Sequence, residues 1–276
     1  MNVLTHTLPV TLQQARKARR LSQLELSLRL VVSQRHVSFV ESGRAKPSRG
    51  LLVAWLQALD APLAVRNAAM LQAGYAPAYS VGKLGDPGLA HANRALLQLL
   101  QAHDPMPAFV VDAQWNLLNL NRGAAWLVTT LMPWAAELLA VPPAGGAGIN
   151  LLDAMVHPEG FTRHMTNLPE VGPALLAHLR DDASVQPSLT PKVEALAALL
   201  RDRLGSQNLH TGWPRNAAPL LTTRFATARG ELAFFSMFTT FGTPQDITLA
   251  SLRVEHMFAA DERTGNVLKA MVAKNC

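Results

Sequence analysis

The stretch SQRHVSFVESGR, residues 33–44, combines two apolar residues at helical spacing with residues typical of helix ends. Val37 and Val40 lie three positions apart, so both can face one side of a helix and be buried there. Ser33 is a favoured N-cap residue, and Gly43 is typical of the position that follows a helix end. The stretch therefore predicts a short helix that begins after Ser33, ends shortly before Gly43 and leaves its polar face free to bind a partner.

Short helices are predicted on both sides of this stretch. Ser22 and Glu25 have the spacing of a capping box, in which each side chain accepts a hydrogen bond from the other residue's amide. The apolar periodicity predicts helices over about 11–20, 22–30, 33–41, 48–59 and 62–73. A turn of about three residues joins the second helix to the third, as in a helix-turn-helix motif. Four basic residues of the first helix are expected to face mostly outward: Arg16, Lys17, Arg19 and Arg20.

The excess positive charge of the chain is confined to this helical part. The whole sequence of 276 residues has a net charge of +6. Residues 1–75 contain ten Lys and Arg but only three Asp and Glu, so they carry +7, and the remaining residues carry −1. This asymmetry is typical of a module that binds a polyanion, joined to a neutral one.

The helical part resembles the lambda-repressor-like (XRE-family) DNA-binding domain. The matching residues are Ser22-Gln23, Leu26-Ser27, Val31-Val32-Ser33, Val37 and Glu41-Ser42-Gly43-Arg44. Two positions depart from the family pattern, since Val31 replaces the usual turn glycine and Ser27 replaces the usual alanine. The resemblance implies an all-α domain of five helices that binds double-stranded DNA, and it makes the helix after Ser33 the recognition helix.

DNA contacts are predicted from the geometry of such a motif. The start of the recognition helix enters the major groove, where an amide pairs well with adenine and a guanidinium with guanine. The candidate base-reading residues are Gln34, Arg35, Ser38 and Phe39. As at matching positions of the family, Gln23, Arg44 and Lys46 are expected to hold phosphates, and Arg19 is added as a fourth candidate. Phe39 either packs on a thymine methyl group or folds back to the core, and the sequence leaves this open.

The neutral remainder predicts a different fold. Residues 82–88, GKLGDPG, have the composition of a linker, and a helix is expected over 89–102. Strands are predicted over 108–111 and 115–120, then helices over about 123–139, 149–156, 169–181 and 190–204, then three more strands after Pro214 and a helical end. This order predicts a PAS-like α+β domain with one antiparallel sheet and inserted helices. The expected domains are residues 1–80, a connection over 81–103, and residues 104–276.

This second part resembles the MmyB-like ligand-binding domain, a PAS-related domain found behind XRE-type helix-turn-helix domains. The resemblance rests on PAFVVDAQWNLLNLNRGAAWL, residues 107–127, and TTFGTPQDITLASLRVEHMFAADE, residues 239–262. It implies a one-component bacterial regulator and a fatty-acyl-like ligand. Composition alone would not have indicated that ligand.

Large apolar residues of the predicted strands form either ordinary core or the wall of a cavity for an apolar molecule. The candidate pocket residues of this kind are Trp115, Trp126, Phe225, Phe235, Met237 and Phe258. Asn119, Arg224 and His256 are candidate polar anchors for the same molecule.

The sequence gives little support for a metalloprotein, an enzyme or a membrane protein. His157 and His164 are separated by Pro158 and Gly160, which break any helix that could align them on a metal, so no metal and no cofactor are expected. No nucleotide-binding glycine motif or nucleophile elbow is present, so an enzyme is not expected. The single cysteine, Cys276, and the lack of a long apolar run predict a cytoplasmic protein without a membrane span.

Together these features predict a sequence-specific transcriptional regulator that binds a palindromic operator as a homodimer. A small apolar ligand of the second domain is expected to change operator affinity, with the helix near 89–102 passing on the change. The alternative is a regulator whose second domain binds no ligand and serves as a protein-interaction or dimerisation module.

Overall fold

The computed structural model describes residues 7–140, 148–205 and 220–273. It divides into two compact units, which are described separately. The first unit contains the residues up to Lys83 together with Thr243–Ala250, and the second contains Leu84–Gly242 and the residues from Ser251 onward.

The elements are numbered in chain order. The helices are α1 Leu8–Ala18, α2 Gln23–Leu30, α3 Gln34–Glu41, α4 Arg49–Ala58, α5 Leu63–Gln72, α6 Ala90–His103, α7 Arg122–Leu131, α8 Ala135–Ala140, α9 Leu151–Val156, α10 Phe161–His164, α11 Leu168–Val185, α12 Thr190–Leu204, α13 Ile247–Ser251 and α14 Glu262–Ala273. The strands are β1 Ala108–Val111, β2 Leu117–Leu120, β3 Thr223–Thr227, β4 Gly230–Thr239 and β5 Arg253–Ala259.

Serine caps begin three of the helices in the first unit, and the sequence predicts those at Ser22 and Ser33. The Ser22 hydroxyl accepts from the Glu25 amide at 3.1 Å, and the Glu25 carboxylate accepts from the Ser22 amide at 2.7 Å, which completes the capping box. Ser33 caps α3 through the His36 amide at 3.1 Å. Ser48 caps α4 in the same way. The five predicted helices are confirmed, with ends that differ by a few residues.

One face of each of these helices packs into the core of the first unit. Its most buried large side chains are Leu12, Leu26, Val37, Leu52, Trp55, Leu56, Leu59 and Met70. The expectation that Arg16 faces outward is wrong, because its residue is only 8% exposed and lies against buried Glu41. The helical period brings Arg16 to the inner side, and the carboxylate of a distant helix compensates its charge.

The turn between α2 and α3 keeps the geometry that usually needs glycine. Val31 has φ of +53° and ψ of +46°, which is the left-handed conformation. Its amide bonds back to the Leu28 carbonyl, and the Val32 amide bonds to the Ser27 carbonyl at 3.1 Å. Because a β-branched residue is strained in this conformation, the turn is retained at a cost in stability.

The second unit is built on one antiparallel sheet of five strands in the order β2-β1-β5-β4-β3. The predicted α+β fold with inserted helices is confirmed. The helical block predicted over 123–139 is two helices, because Pro133 lies between α7 and α8 and has no amide hydrogen to continue the first.

The two faces of the sheet are packed differently. The inner face, which carries Phe225, Leu232, Phe234 and Met257, packs in the large core formed with helices α7, α9, α11, α12 and α14. The outer face carries Ala108, Val110, Val254 and His256, and His103 of α6 lies against it.

Candidate functional site

The exposed side of α3 begins directly at its N-terminus. Gln34 and Arg35 occupy the first turn and are exposed. Val37 and Val40 on the opposite side are at most 1% exposed, so they fix the helix to the core. The structure therefore presents the two side chains that the sequence identifies as the main base readers.

Phe39 lies between two guanidinium groups. Its ring centroid is 5.1 Å from Cζ of Arg35 and 5.9 Å from Cζ of Arg44. The side chain is half-buried and is not among the hydrophobic side chains packed against the core of the first unit. In the structure the ring therefore lies beside the two arginines and not in that core.

The candidate phosphate-binding residues differ in whether their side chains already donate hydrogen bonds within the protein. Arg44 and Lys46 are exposed, and Nζ of Lys46 lies 5.4 Å from the ring centroid of Tyr75. The Arg19 guanidinium donates to the carbonyls of Leu59 and Asp60 at 2.7 Å and to the Asp60 carboxylate at 2.8 Å.

Gln23, the fourth phosphate candidate, belongs to a buried network around Glu41. The Gln23 amide nitrogen donates to the Glu41 carboxylate at 2.9 Å, and Arg16 donates to both of its oxygens, at 2.7 and 2.8 Å. The hydrogen bond to Glu41 raises the pKa of Arg16. This network ties α1 and α2 to the end of the recognition helix. Sequence reasoning used Glu41 only as part of a motif and missed this role.

The predicted pocket residues of the second unit do not share one face of the sheet. Cross-strand partners lie on the same face, and the pairings Phe235–Phe258 and Met237–His256 place those four residues on the outer face. Trp115 and Phe225 belong to the core of the inner face. The sheet separates the two groups, so they cannot line one cavity.

On the outer face, the aromatic residues form a compact cluster with α6. The rings of Phe235 and Phe258 stack at 5.3 Å, and His103 contacts His256 and Phe258 edge-on at 4.8 and 4.9 Å. Burial, with a smaller contribution from His103, lowers the pKa of His256. A ring nitrogen of His256 lies 3.1 Å from the hydroxyl oxygen of Thr239. These contacts account for the burial of His256 without a ligand.

The remaining candidates are also divided between the two faces or lie at the surface. Asn119 pairs with Val110 in the register of β1 and β2 and therefore lies on the outer face. Arg224 is exposed and donates to Glu231 at 3.2 Å. Trp126 of α7 is half-buried and packs against the core of the inner face.

The inner face carries polar groups beside aromatic ones. Arg253 forms two hydrogen bonds with Asp182 of α11, at 2.7 and 3.0 Å, and the Trp115 indole donates to the same carboxylate at 3.1 Å. The Phe238 ring contacts Trp115 at 6.2 Å and His178 at 6.0 Å between centroids, yet Phe238 is 41% exposed. An apolar surface beside a fixed polar pair is the usual composition of a small-molecule site.

Glu255 lies on this inner face and was missed by sequence reasoning. It pairs with Phe109 on one side and Phe238 on the other, so aromatic residues flank it across the sheet. Burial raises the pKa of Glu255 to about 7, although a hydrogen bond with Ser236 acts in the opposite direction. The available signal was an acidic residue inside the apolar strand SLRVEHMF, where a charged side chain is costly.

The described residues hold neither a cluster of potential metal ligands nor a membrane-spanning helix. Within residues 7–140, 148–205 and 220–273, no three His, Cys, Asp or Glu side chains are grouped so that they could hold a metal ion. In the part of the chain that the structure describes, no helix is long and apolar enough to cross a membrane.

Each of the two units matches a known protein family. Residues 12–65 match the helix-turn-helix family, and residues 92–271 match the family described as MmyB-like transcription regulator ligand binding domain. Neither is an enzyme family. No curated protein matches the chain.

A helix-turn-helix unit followed by a domain of this kind defines a DNA-binding transcription regulator with a ligand-binding-type domain. The chain belongs to the MmyB-like transcription regulators, as the match over 92–271 shows. Both resemblances identified in the sequence are confirmed.

Proposed function

We propose that the protein is a sequence-specific regulator whose affinity for its operator is set by a small molecule bound in the second unit. The observation that carries the proposal is the exposed first turn of α3, which presents Gln34 and Arg35 on a rigid helix in the basic part of the chain. Such a helix start is the part of a helix-turn-helix motif that reaches base edges in the major groove.

In this proposal the DNA contacts divide into two kinds. Gln34 and Arg35 read bases, with Ser38 one turn further along the same helix. Arg44 and Lys46 bind phosphates without reading sequence, because both are exposed and basic. Gln23 and Arg19 are the weaker phosphate candidates, since their side chains already donate to protein oxygens.

The operator is proposed to be palindromic and the protein a homodimer. Two recognition helices related by a two-fold axis bind half-sites about 34 Å apart, which is one turn of the double helix. A regulator of chromosomal DNA acts in the cytoplasm, which is where the proposal places it.

The ligand site is proposed on the inner face of the sheet. Phe238 and Trp115 supply apolar contact there, while Glu255 and Ser236 supply hydrogen-bonding groups. The partly exposed Phe238 marks the place where an apolar molecule would cover the sheet. A fatty-acyl-like molecule, which the family resemblance implies, has an apolar body and a polar end of the kind such a surface accepts.

The DNA half of the proposal is tested by selection from a random pool. The full-length protein is incubated with randomised duplexes, and the recovered sequences are compared with those recovered by R35A. Enrichment of an inverted repeat by the native protein, with degeneracy at one or two positions for R35A, is the expected result. Equal enrichment of all sequences by the native protein would contradict sequence-specific binding.

The ligand half is tested by mass spectrometry of full-length protein purified under native conditions. A small apolar molecule should co-purify with it, and lauric acid added as a probe should compete for the same site. If no small molecule is retained and lauric acid does not bind, the second unit is better explained as an interaction or dimerisation module.

A further inference from the structure

Phe39 connects the two kinds of DNA contact. Arg35 lies four residues before Phe39 on α3, so its side chain lies along the same helix face. Arg44 belongs to the turn after the helix, and its amide donates to the Phe39 carbonyl at 2.8 Å. The Ala45 amide donates to the same carbonyl at 3.1 Å. Phe39 therefore contacts the Arg44 segment through its backbone and both guanidinium groups through its ring.

The ring has a physical effect that an aliphatic side chain lacks. The negative face of an aromatic ring attracts a guanidinium group and favours conformations in which the cation stays near it. Arginine loses much side-chain freedom when it binds a base or a phosphate. A ring that already restricts Arg35 and Arg44 reduces that loss, and it does so for a base contact and a phosphate contact together.

We infer that Phe39 is a positioning residue that orders Arg35 for base reading and Arg44 for phosphate binding. This inference rests on the proposed function, in which these arginines contact DNA. It assigns Phe39 an action through its neighbours rather than a reading contact of its own.

The test uses two substitutions of Phe39 in the full-length protein. F39L keeps an apolar side chain but removes the ring, whereas F39Y keeps the ring. Binding is titrated with the selected operator and with a duplex altered at the base pair assigned to Arg35. F39L should lower discrimination between the two duplexes by about two- to fivefold, and F39Y should preserve it.

The controls separate this inference from the proposed function. In R35A protein, F39L should cause no further loss of discrimination, because the reader is already absent. If R35A lowers discrimination but F39L does not, the positioning role is wrong while the proposed reading contact stands. If R35A itself has no effect, the proposed reading contact fails. Thermal unfolding of F39L and F39Y serves to show that both variants are folded.

A second inference comes from an independent feature, the segment Thr243–Ala250. We call this segment the strap. It connects the end of β4 to the start of β5, yet it belongs to the same compact unit as helices α1–α5. The backbone of the strap is therefore continuous with two strands of the sheet and is also part of the DNA-binding unit.

Asp246 attaches the strap within that unit. It is 5% exposed, and one carboxylate oxygen accepts from the Ser80 hydroxyl at 2.7 Å and from the Gly82 amide at 3.2 Å. The other oxygen caps α13 by accepting from the amides of Thr248 at 2.8 Å and Leu249 at 3.2 Å. The Ile247 amide also donates to the Ser80 carbonyl at 2.9 Å. Burial opposes the charge of Asp246, but these hydrogen bonds outweigh it and lower its pKa.

The chain that Asp246 binds is in turn fixed to α5. The side-chain oxygen of Asn67 accepts from the amides of Ala78 and Tyr79 at 2.9 and 3.0 Å, and its nitrogen donates to the Tyr79 carbonyl at 2.7 Å. Asn67 is itself 7% exposed. A continuous set of partly buried polar contacts therefore links α5, residues 78–82 and the strap.

The geometry points to the strap as a coupling element between the sheet and the DNA-binding helices, with Asp246 as its attachment. A shift in the position of the ends of β4 and β5 should move the strap that connects them. The strap is hydrogen-bonded to residues that α5 in turn binds. Coupling of this kind is reciprocal. A ligand that changes the affinity for DNA has its own affinity changed by DNA by the same factor, so DNA binding should also alter β4 and β5.

Reciprocity allows a test with DNA alone as the probe. Hydrogen exchange of the full-length protein is measured with and without the selected operator, in the native protein and in D246A. Operator should change the exchange of residues 230–239 and 253–259 in the native protein, and most of that change should be lost in D246A. D153A is the matched control, since Asp153 is an exposed residue of α9 paired with Lys192. The D153A protein should show the same response as the native protein.

Two results would overturn the coupling role. One is a native protein whose β4 and β5 do not respond to operator. The other is a D246A protein that binds operator and shows the full response. If D246A does not fold, S80A removes one of the hydrogen bonds to Asp246 and should reduce the same response partially, whereas an unchanged response in S80A would reject the role.

Discussion

Arg16 of α1 and Glu41 of α3 form a buried ion pair with two hydrogen bonds, from Nε at 2.7 Å and from Nη2 at 2.8 Å. The Glu41 side chain is 1% exposed. Because the pair lies at the end of the recognition helix, it holds that helix against α1 in the orientation that presents Gln34 and Arg35.

Removing one partner of this pair should destabilise the first unit. E41Q leaves the Arg16 charge buried without its counter-ion, and we expect a loss of about 3 kcal/mol in the free energy of unfolding. Urea unfolding followed by circular dichroism measures it. The double variant R16M/E41L should lose less than the sum of the losses in R16M and E41L, because no charge is then left unpaired. Strictly additive losses would show that the two side chains do not act as a pair.

The strained turn residue Val31 offers a stabilising substitution. V31G removes the steric cost of the left-handed conformation at a side chain that is 91% exposed, so little packing is lost. We expect a gain of about 0.5–1 kcal/mol in the free energy of unfolding. L28G, at an exposed position inside α2, should instead lose about 1 kcal/mol, because that position needs no positive φ. Equal effects of both glycines would contradict the assignment of strain to Val31.

Glu255 should make stability depend on pH. Its pKa is about 7 in the folded protein against 4.5 for the ordinary group, so the folded state binds the proton more tightly. The free energy of unfolding should therefore fall by at most about 3 kcal/mol as the pH rises from about 4.5 to about 7. Above that pH it should level off.

The substitution E255Q should remove this part of the pH dependence, because the amide is neutral throughout the range. Urea unfolding of E255Q at several pH values between 4 and 8 provides the measurement. E194Q is the control, since Glu194 is exposed on α12 and paired with Arg201. A pH profile of E255Q that matches the native one would show that Glu255 is not the group responsible.

Arg35 and Arg44 should differ in how their removal affects DNA binding. R35A should weaken binding to the selected operator by about 1–3 kcal/mol and relax preference at one or two base pairs. R44A should weaken binding to operator and scrambled DNA alike and reduce the salt slope by about one. Fluorescence titrations at several salt concentrations distinguish the two. Equal loss of R35A on both duplexes would remove its assignment as a reader.

Much of the fold could be predicted because its signals are local. The capping box at Ser22 and the N-caps at Ser33 and Ser48 act within three residues, so their signals are local in the sequence. Helical and strand periodicity likewise predicts which faces are buried. The recognition helix and the antiparallel sheet were therefore predictable.

The candidate ligand pocket was predicted less well, because alternation along one strand does not say which face of the sheet a residue occupies. Phe234 and Phe235 are adjacent and both apolar, yet they lie on opposite faces. The pairing of β4 with β5 decides this, and the candidate pocket residues were divided between two faces as a result. Glu255 was missed for the same reason, since its apolar surroundings come from the neighbouring strands β1 and β4.

Local sequence patterns were enough to predict the class of this protein, its helix-turn-helix and the exposed first turn of α3. Those properties depend on hydrogen bonds and periodicity within a few residues. Only the tertiary structure decided that Arg16 pairs with Glu41, 25 positions away, and that Asp246 binds Ser80, 166 positions away. A buried charge needs compensation from whatever group the fold brings to it, and no local rule identifies that group.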